Sequence, residues 1–371
     1  MLTLPVFAGI ILSFNTFLRT YLIHHVIPWG CGQNMKDSRY NSSLLVIILI
    51  LITLAITGAV ICSHQPDIRP AAVTISPIRL VFVGDVMLSR QVGEIIEHES
   101  PRFPFDRVKS TLMAGDITMG NLESPLSALN TTACEKKYCF RASPDAADGL
   151  VYAGFDIMTV ANNHALDYGP EVMNDTLNYL SAAGVLYTGA HLHREDSIQS
   201  PVIINKQGTD IAYLGFNDIG NSTTTNGYPR PWVASENAVK LAVEQARNEA
   251  DIVVVVFHFG NEYSFSHSKR QEQLAHAAAD AGADIIVGHH PHVIQEVEVY
   301  NRSIIAYSLG NFVFDQSGRA GVKEGNIFTV EVDPATKKIR GYSLDTVTIN
   351  SKFQPRVSTT ADFVQTITPT S

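Results

Sequence analysis

The chain is predicted to fold as a layered α/β sandwich whose second half adds antiparallel strands, behind an N-terminal transmembrane helix. Three observations predict this. Residues 44–62 form one long uncharged apolar run. From Arg79 onward, short β-branched runs alternate with polar clusters and helical stretches. After Val293, strand patterns succeed one another with only short turns between them.

The apolar run reads LLVIILILITLAITGAVIC. At about 1.5 Å per residue, a helix of that length spans roughly 28 Å, against a hydrocarbon core of about 30 Å. A buried soluble helix is rarely apolar on every face for so long. Lys36 and Arg39 precede the run, and the next basic residue is Arg69. By the positive-inside rule, residues 63–371 lie outside the cytoplasm. The expectation is a single-pass protein of the cell membrane with its main domain extracytoplasmic. Residues 1–43 form a separate N-terminal segment. Residues 2–27 are apolar too, though broken by Pro5, Asn15 and Arg19. They read as a second membrane segment, giving two passes, or as lying upstream of a start at Met35. A cleaved signal peptide is the runner-up, but the run exceeds an ordinary h-region. A lipoprotein reading at Cys62 fails for want of a small residue directly before the cysteine.

The formal charge is -9; residues 1–62 carry +2, leaving -11 on the remainder. An acidic domain without a Lys/Arg run argues against nucleic acid as a partner. None of the four cysteines forms a CxxC pair, which argues against a zinc knuckle. Cys134 and Cys139 lie close together in TTACEKKYCFRA. Outside the cytoplasm they read as a local loop disulfide, the alternative being two free thiols.

Residues 63–78, rich in proline and small residues, read as a linker. The domain then spans 79–350, with 351–371 as a C-terminal tail. Its clearest strands are 80–83, 156–160, 252–257 and 285–287, and its helices roughly 170–183, 235–250 and 268–281. Continuous apolar runs separated by helices indicate strands buried on both faces. Further strand patterns fall at 293–299, 303–307 and 327–332. There is no internal repeat.

The residues just past each strand carry the chemistry. The first strand ends in Gly84-Asp85, and the next runs into Gly120-Asn121-Leu122-Glu123. A third meets Ala161-Asn162-Asn163-His164, a fourth ends at His258, and a fifth ends in Gly288-His289-His290-Pro291-His292. Ligands bind at the carboxyl ends of strands in open α/β sheets. Singly, each end has a local reading: Gly-Asp as a turn, Asn-His as a helix cap, His258 as a hydrogen-bonded core histidine. Five in order, all bearing Asp, Asn, Glu or His, point to a metal site.

This order resembles the calcineurin-like metallophosphoesterase superfamily and, more closely, the CapA family of capsule and poly-γ-glutamate synthesis proteins. The matching stretches are GDVMLSR, GNLESPLS, ANNHALDYG, FHFGNEY, VGHHPHVIQEVE and YSLGNFVFDQ, across residues 79–316. The resemblance implies an α-β-β-α sandwich and one or two divalent ions, Mn²⁺, Zn²⁺ or Fe. It implies that Asp85 is a terminal ligand and that Glu123 stands where phosphoesterases have a bridging Asp, with Asn121 beside it. Asn163, His258 and His290 complete one metal sphere, and His292 joins Asp85 at the other. His164 is implied as general acid, and Glu262 as a residue orienting a ligand from behind. Asn311 either faces the site or serves a turn.

Phosphoesterases have a His two residues after the first Asp, where this chain has Met87. A thioether is a poor ligand for ions selected by oxygen and nitrogen, so one metal position is weakened. Two functional readings emerge. One is a metal-dependent hydrolase acting on a phosphoester or on a γ-glutamyl amide bond. The other is a non-catalytic component of a polymer synthesis or export complex. Either way the expected partners are the membrane, a capsule or cell-envelope polymer, and polymer synthase subunits.

Overall fold

The computed structural model describes residues 47–58, 76–131, 134, 136–220 and 227–365. The chain divides into two compact units, residues 1–73 and 74–371. In the first unit, residues 47–58 are helical, and their Ile and Leu side chains are exposed. No helix among the described residues is long and apolar enough to cross a membrane. The expected span 44–62 extends beyond the described stretch at both ends, so that expectation lies partly outside the described residues.

The second unit contains two large sheets. The first is built on β1 (Ile78–Val86), β2 (Ile117–Leu122), β3 (Ile157–Thr159) and β4 (Leu186–Thr188), side by side and parallel. The short β5 (Ala190–His191) pairs instead with β8 (Arg230–Pro231). The second sheet runs β6 (Val202–Lys206), β7 (Thr209–Asn217), β9 (Ile252–His258), β10 (Ile285–His289), β12 (Ser303–Ala306) and β11 (Val297–Tyr300), with its four central strands parallel. The chain then returns to the first sheet. There β13 (Asn311–Val313) lies parallel to the end of β1, and β14 (Glu324–Asp333) and β15 (Lys338–Ile349) add antiparallel.

Alternation along the strands makes this a four-layer α-β-β-α sandwich. On β1, Ile78, Leu80 and Phe82 face Val254, Val256 and Val287 of the other sheet in one dry core. Val81 and Val83 point the other way, into a core shared with α1 (Arg90–His98), α3 (Ala146–Ala153) and α4 (Pro170–Ala182); the single-turn α2 (Lys109–Leu112) adds Leu112. The second sheet turns Leu214, Val253 and Val255 outward against α5 (Glu236–Glu249) and α6 (Lys269–Asp280). Strands covered on both faces have no polar side to show, hence the unbroken apolar runs.

One boundary needs correction. Residues 351–371 were expected to be a tail, but β16 (Pro355–Thr359) and β17 (Val364–Gln365) both pair with β15. A long edge strand leaves a row of backbone donors and acceptors open. This short polar segment covers part of it, beginning at a proline that an edge tolerates. The domain therefore continues through residue 365.

Candidate metal centre

The parallel strands of both sheets point their carboxyl ends at one crevice. In the first sheet Asp85 is in register with Asn121 on one side and Asn311 on the other. In the second, His258 is in register with His289. The glycines before two of these ligands have a steric cause. A Cβ on Gly84 would lie 2.0 Å from the Gly310 carbonyl oxygen, and one on Gly288 would lie 2.0 Å from that of Tyr307. A neighbouring backbone passes too close at both points for any side chain.

Asp85, Glu123 and His258, all buried, each offer a ligand atom within 4.8 Å of the others'. Asn121 ties them together: its Nδ2 lies 2.8 Å from Asp85 Oδ1, 3.4 Å from Glu123 Oε2 and 3.3 Å from His258 Nδ1. Asn163 reaches the other ring nitrogen, with Oδ1 2.8 Å from His258 Nε2. His292 Nδ1 sits 3.0 Å from Asn311 Oδ1 and 3.1 Å from Asp85 Oδ2. Because Asn311 spends its amide group on Gln316 and on the Val322 carbonyl, its oxygen is the acceptor. His292 therefore carries its proton on Nδ1, leaving the Nε2 lone pair free, 3.6 Å from Glu123 Oε1. Asn311 thus orients a ligand.

The loop after β10 is bent for this purpose. His290 and His292 adopt φ of 97° and 58°, left-handed backbone that non-glycine residues avoid, on either side of Pro291. The His290 ring comes within 4.8 Å of the His258 ring and 5.8 Å of the His292 ring.

Burial sets the electrostatics. It pushes Asp85 upward, but the imidazoles of His289 and His292 close against it prevail and hold this carboxyl well below its ordinary range. Burial and then the Asp85 charge drive Glu123 well above its own. Burial, followed by neighbouring imidazoles, depresses His258 strongly and His290 to about 3. The result is one carboxyl biased toward its anion, one biased toward its protonated form, and imidazoles at His258 and His290 biased toward the neutral state in which histidine binds metal.

His164 stands at the edge, with Nε2 3.9 Å from Glu123 Oε1. Its Nδ1 lies 2.8 Å from Asp167 Oδ2, and its ring stacks on Phe140 with centroids 3.9 Å apart. Burial lowers its pKa against the opposing pull of Asp167.

All the expected ligands meet here, and His289 and Asp167 join them. His289 Nδ1 is 3.3 Å from Asp85 Oδ1, without hydrogen-bond alignment. It was visible in the sequence as the histidine that ends β10, and Asp167 as the acid three residues past His164. Asn162, also passed over, accepts the His164 backbone N–H and donates to Asn121. Glu262 is exposed and engages the Tyr263 hydroxyl rather than a ligand, though its charge still reaches Glu123 and adds to the upward push on that carboxyl. Met87 is fully buried among the helix-side apolar residues, its sulfur accepting from Ser89 N and Oγ at 3.2 and 3.1 Å. Cys134 and Cys139 form a disulfide with Cα atoms 6.1 Å apart.

Glu123 Oε1, His289 Nδ1 and His290 Nδ1 are buried without a hydrogen-bond partner. Each such orphan costs about 1–3 kcal/mol. All three belong to ligand-type side chains in one crevice, so the residues fit a divalent cation. The mixed nitrogen and oxygen donors suit Mn²⁺, Fe²⁺ or Zn²⁺.

A family model described as "Bacterial capsule synthesis protein PGA_cap" matches residues 79–316. The "Capsule biosynthesis protein CapA" of Bacillus anthracis is 34% identical over 291 residues, covering 76% of this chain and 71% of that protein. The "PGA biosynthesis protein CapA" of Bacillus subtilis (strain 168) is 38% identical over 238 residues, covering 63% of each chain. Among solved structures, a novel phosphatase from Mycoplasma pneumoniae aligns over 74% of this chain and 95% of its own, with 16% identity and a TM-score of 0.48.

Proposed function

Since the chain belongs to the PGA_cap family of bacterial capsule synthesis proteins, we propose that it acts in capsule or poly-γ-glutamate synthesis as a membrane-anchored, metal-dependent hydrolase. The observation that carries this reading is the buried Asp85–Glu123–His258 group with its unpartnered Glu123 oxygen, beside a histidine held by a carboxylate.

Asp85, Glu123, His258 and His292 would hold the ion, with Asn163, His289 and His290 around them. A divalent ion supplies Lewis acidity for polarising the bond to be cleaved. The chain's own residues do the rest. Asp167 accepts the Nδ1 proton of His164, which fixes the tautomer and turns Nε2 toward the crevice. Protonated on Nε2 as well, the imidazolium that Asp167 stabilises gives that second proton to the departing atom, and a proton of the attacking water restores it. Asn121 and Asn311 keep the carboxylates and His292 in register. The bond to be cleaved is a γ-glutamyl amide or a phosphoester of an anionic envelope polymer, and synthase subunits are the partners.

The test is to purify the full chain in detergent, measure bound metal, and assay γ-glutamyl peptides and a model phosphodiester side by side. The expected result is bound divalent metal and metal-dependent cleavage of one substrate class. Bound metal with neither bond cleaved would instead support a non-catalytic polymer-binding component. Met87, committed to the apolar interior and supplying no ligand, favours that second reading.

Anchoring rests on the uncharged run 44–62 and on Lys36 and Arg39 before it. Protease added to intact cells is expected to digest the domain. Protection until the membrane is broken would reverse the orientation.

A further inference from the structure

We infer that the loop closed by Cys134–Cys139 is a clamp on His164, with Lys136 and Phe140 as its positioning residues. This rests on the reading of His164 as proton donor.

The hydrogen bonds and stacking that hold the donor come largely from this segment. Lys136 Nζ donates to Asp167 Oδ1 at 2.8 Å and to the Asn163 carbonyl at 2.6 Å. It thereby spans the turn that contains His164, gripping it on both sides. The Phe140 backbone N–H donates to Asp167 Oδ2 at 2.7 Å, the same oxygen that His164 engages. Asp167 is thus a fully buried carboxylate with two of its three donors supplied by the loop. Phe140 also lays its ring along the imidazole. That ring is held from beyond by Phe314, 5.8 Å away, which in turn contacts His292 at 4.9 Å. The Arg90 guanidinium, ion-paired with Asp315, lies 4.7 Å from the Phe140 ring centroid.

A lysine ammonium kept at 15% exposure against a buried carboxylate needs a loop with few alternatives. A free loop would let the ammonium return to water and leave Asp167 short of a donor. The crosslink bracketing Lys136 removes most of those alternatives. The disulfide, eleven residues from the nearest ligand in sequence (Glu123 to Cys134), therefore acts on the site by restricting where Lys136 and Phe140 can be.

Three variants of the full chain test this: Lys136→Met, Lys136→Arg, and Cys134→Ser with Cys139→Ser. Two readouts are taken beside metal content, namely the rate at which diethylpyrocarbonate modifies His164, measured by mass spectrometry, and turnover. With metal content unchanged, Lys136→Met and the double serine variant are expected to expose His164 to faster modification. Their kcat should fall by roughly 10–100-fold, as for a displaced catalytic group, with KM little altered. Lys136→Arg should recover part of both. His164 modification and kcat at wild-type levels in Lys136→Met and the double variant would overturn the clamp. If the wild type shows no turnover, the hydrolase reading fails, while the modification rate still decides the clamp. Should the double variant not fold, Lys136→Met, which keeps the disulfide, carries the decision.

Discussion

His164→Ala is expected to keep its full metal content while turnover drops by roughly 10²–10⁴-fold, the usual loss for a missing acid–base group. The expectation comes from where the ring sits. His164 Nε2 is 3.9 Å from Glu123 Oε1, beyond a hydrogen bond, and Nδ1 is taken up by Asp167. The loss should be largest for substrates with a poorly departing group, because only those need the proton. An activated aryl ester, whose leaving group departs as an anion, should be hydrolysed at a rate much nearer to wild type. Loss of metal from His164→Ala would place the imidazole among the ligands. Full turnover on every substrate would remove it from the chemistry.

Asp85→Asn and His258→Ala are each expected to empty the centre and abolish turnover. Asp85→Asn keeps the side-chain shape and deletes the anion, so its effect separates charge from packing. Affinity should fall further than the roughly 10–100-fold expected when a supporting residue such as Asn311 is replaced by alanine. Inductively coupled plasma mass spectrometry on the purified variants reads this directly; stoichiometric metal in both would sink the assignment. Protons compete with the ion in a defined direction. Glu123 holds its proton above the ordinary carboxylate range, so binding must displace it, and affinity should weaken as pH falls. The chelated protein has its own pH dependence. His258 and His290 are depressed, His290 from 6.5 to about 3. Between those values the unfolded chain takes up a proton that folded His290 refuses, so its contribution is present above 6.5 and is lost as pH falls toward 3, and His258 acts in the same direction. Glu123 runs the other way, its contribution present below 4.5 and lost as pH rises through its elevated value. Thermal melts of chelated protein across that range should therefore show the histidine loss on acidification, offset in part by Glu123.

The strand ends and the side chains they carry can be read from residue order alone. A parallel strand covered on both faces has to read as an apolar run, and its carboxyl end has to open on a loop. For that reason Asp85, Glu123, Asn163, His164, His258, His290 and His292 were legible as one set. The polar strands of the edges are harder to read, since β15 and β16 are mostly half-buried or exposed without a regular alternation and so resemble loops, and a boundary at residue 350 ends the domain too early. How the two sheets meet is visible only in the folded chain. Asp85 touches His289 and His292 across some two hundred residues of chain, and Asn121 touches His258 across 137. Such contacts depend on the packing of one sheet on the other and leave no periodic trace. Side-chain direction was decided there too. Positive φ at His290 and His292 turns their rings into the crevice, while Glu262 swings out to solvent. Lys136 and Phe140 lie in a stretch whose composition says only loop. They reach His164 because a disulfide and a buried carboxylate draw that loop inward, and neither partner is adjacent in sequence to the group it holds.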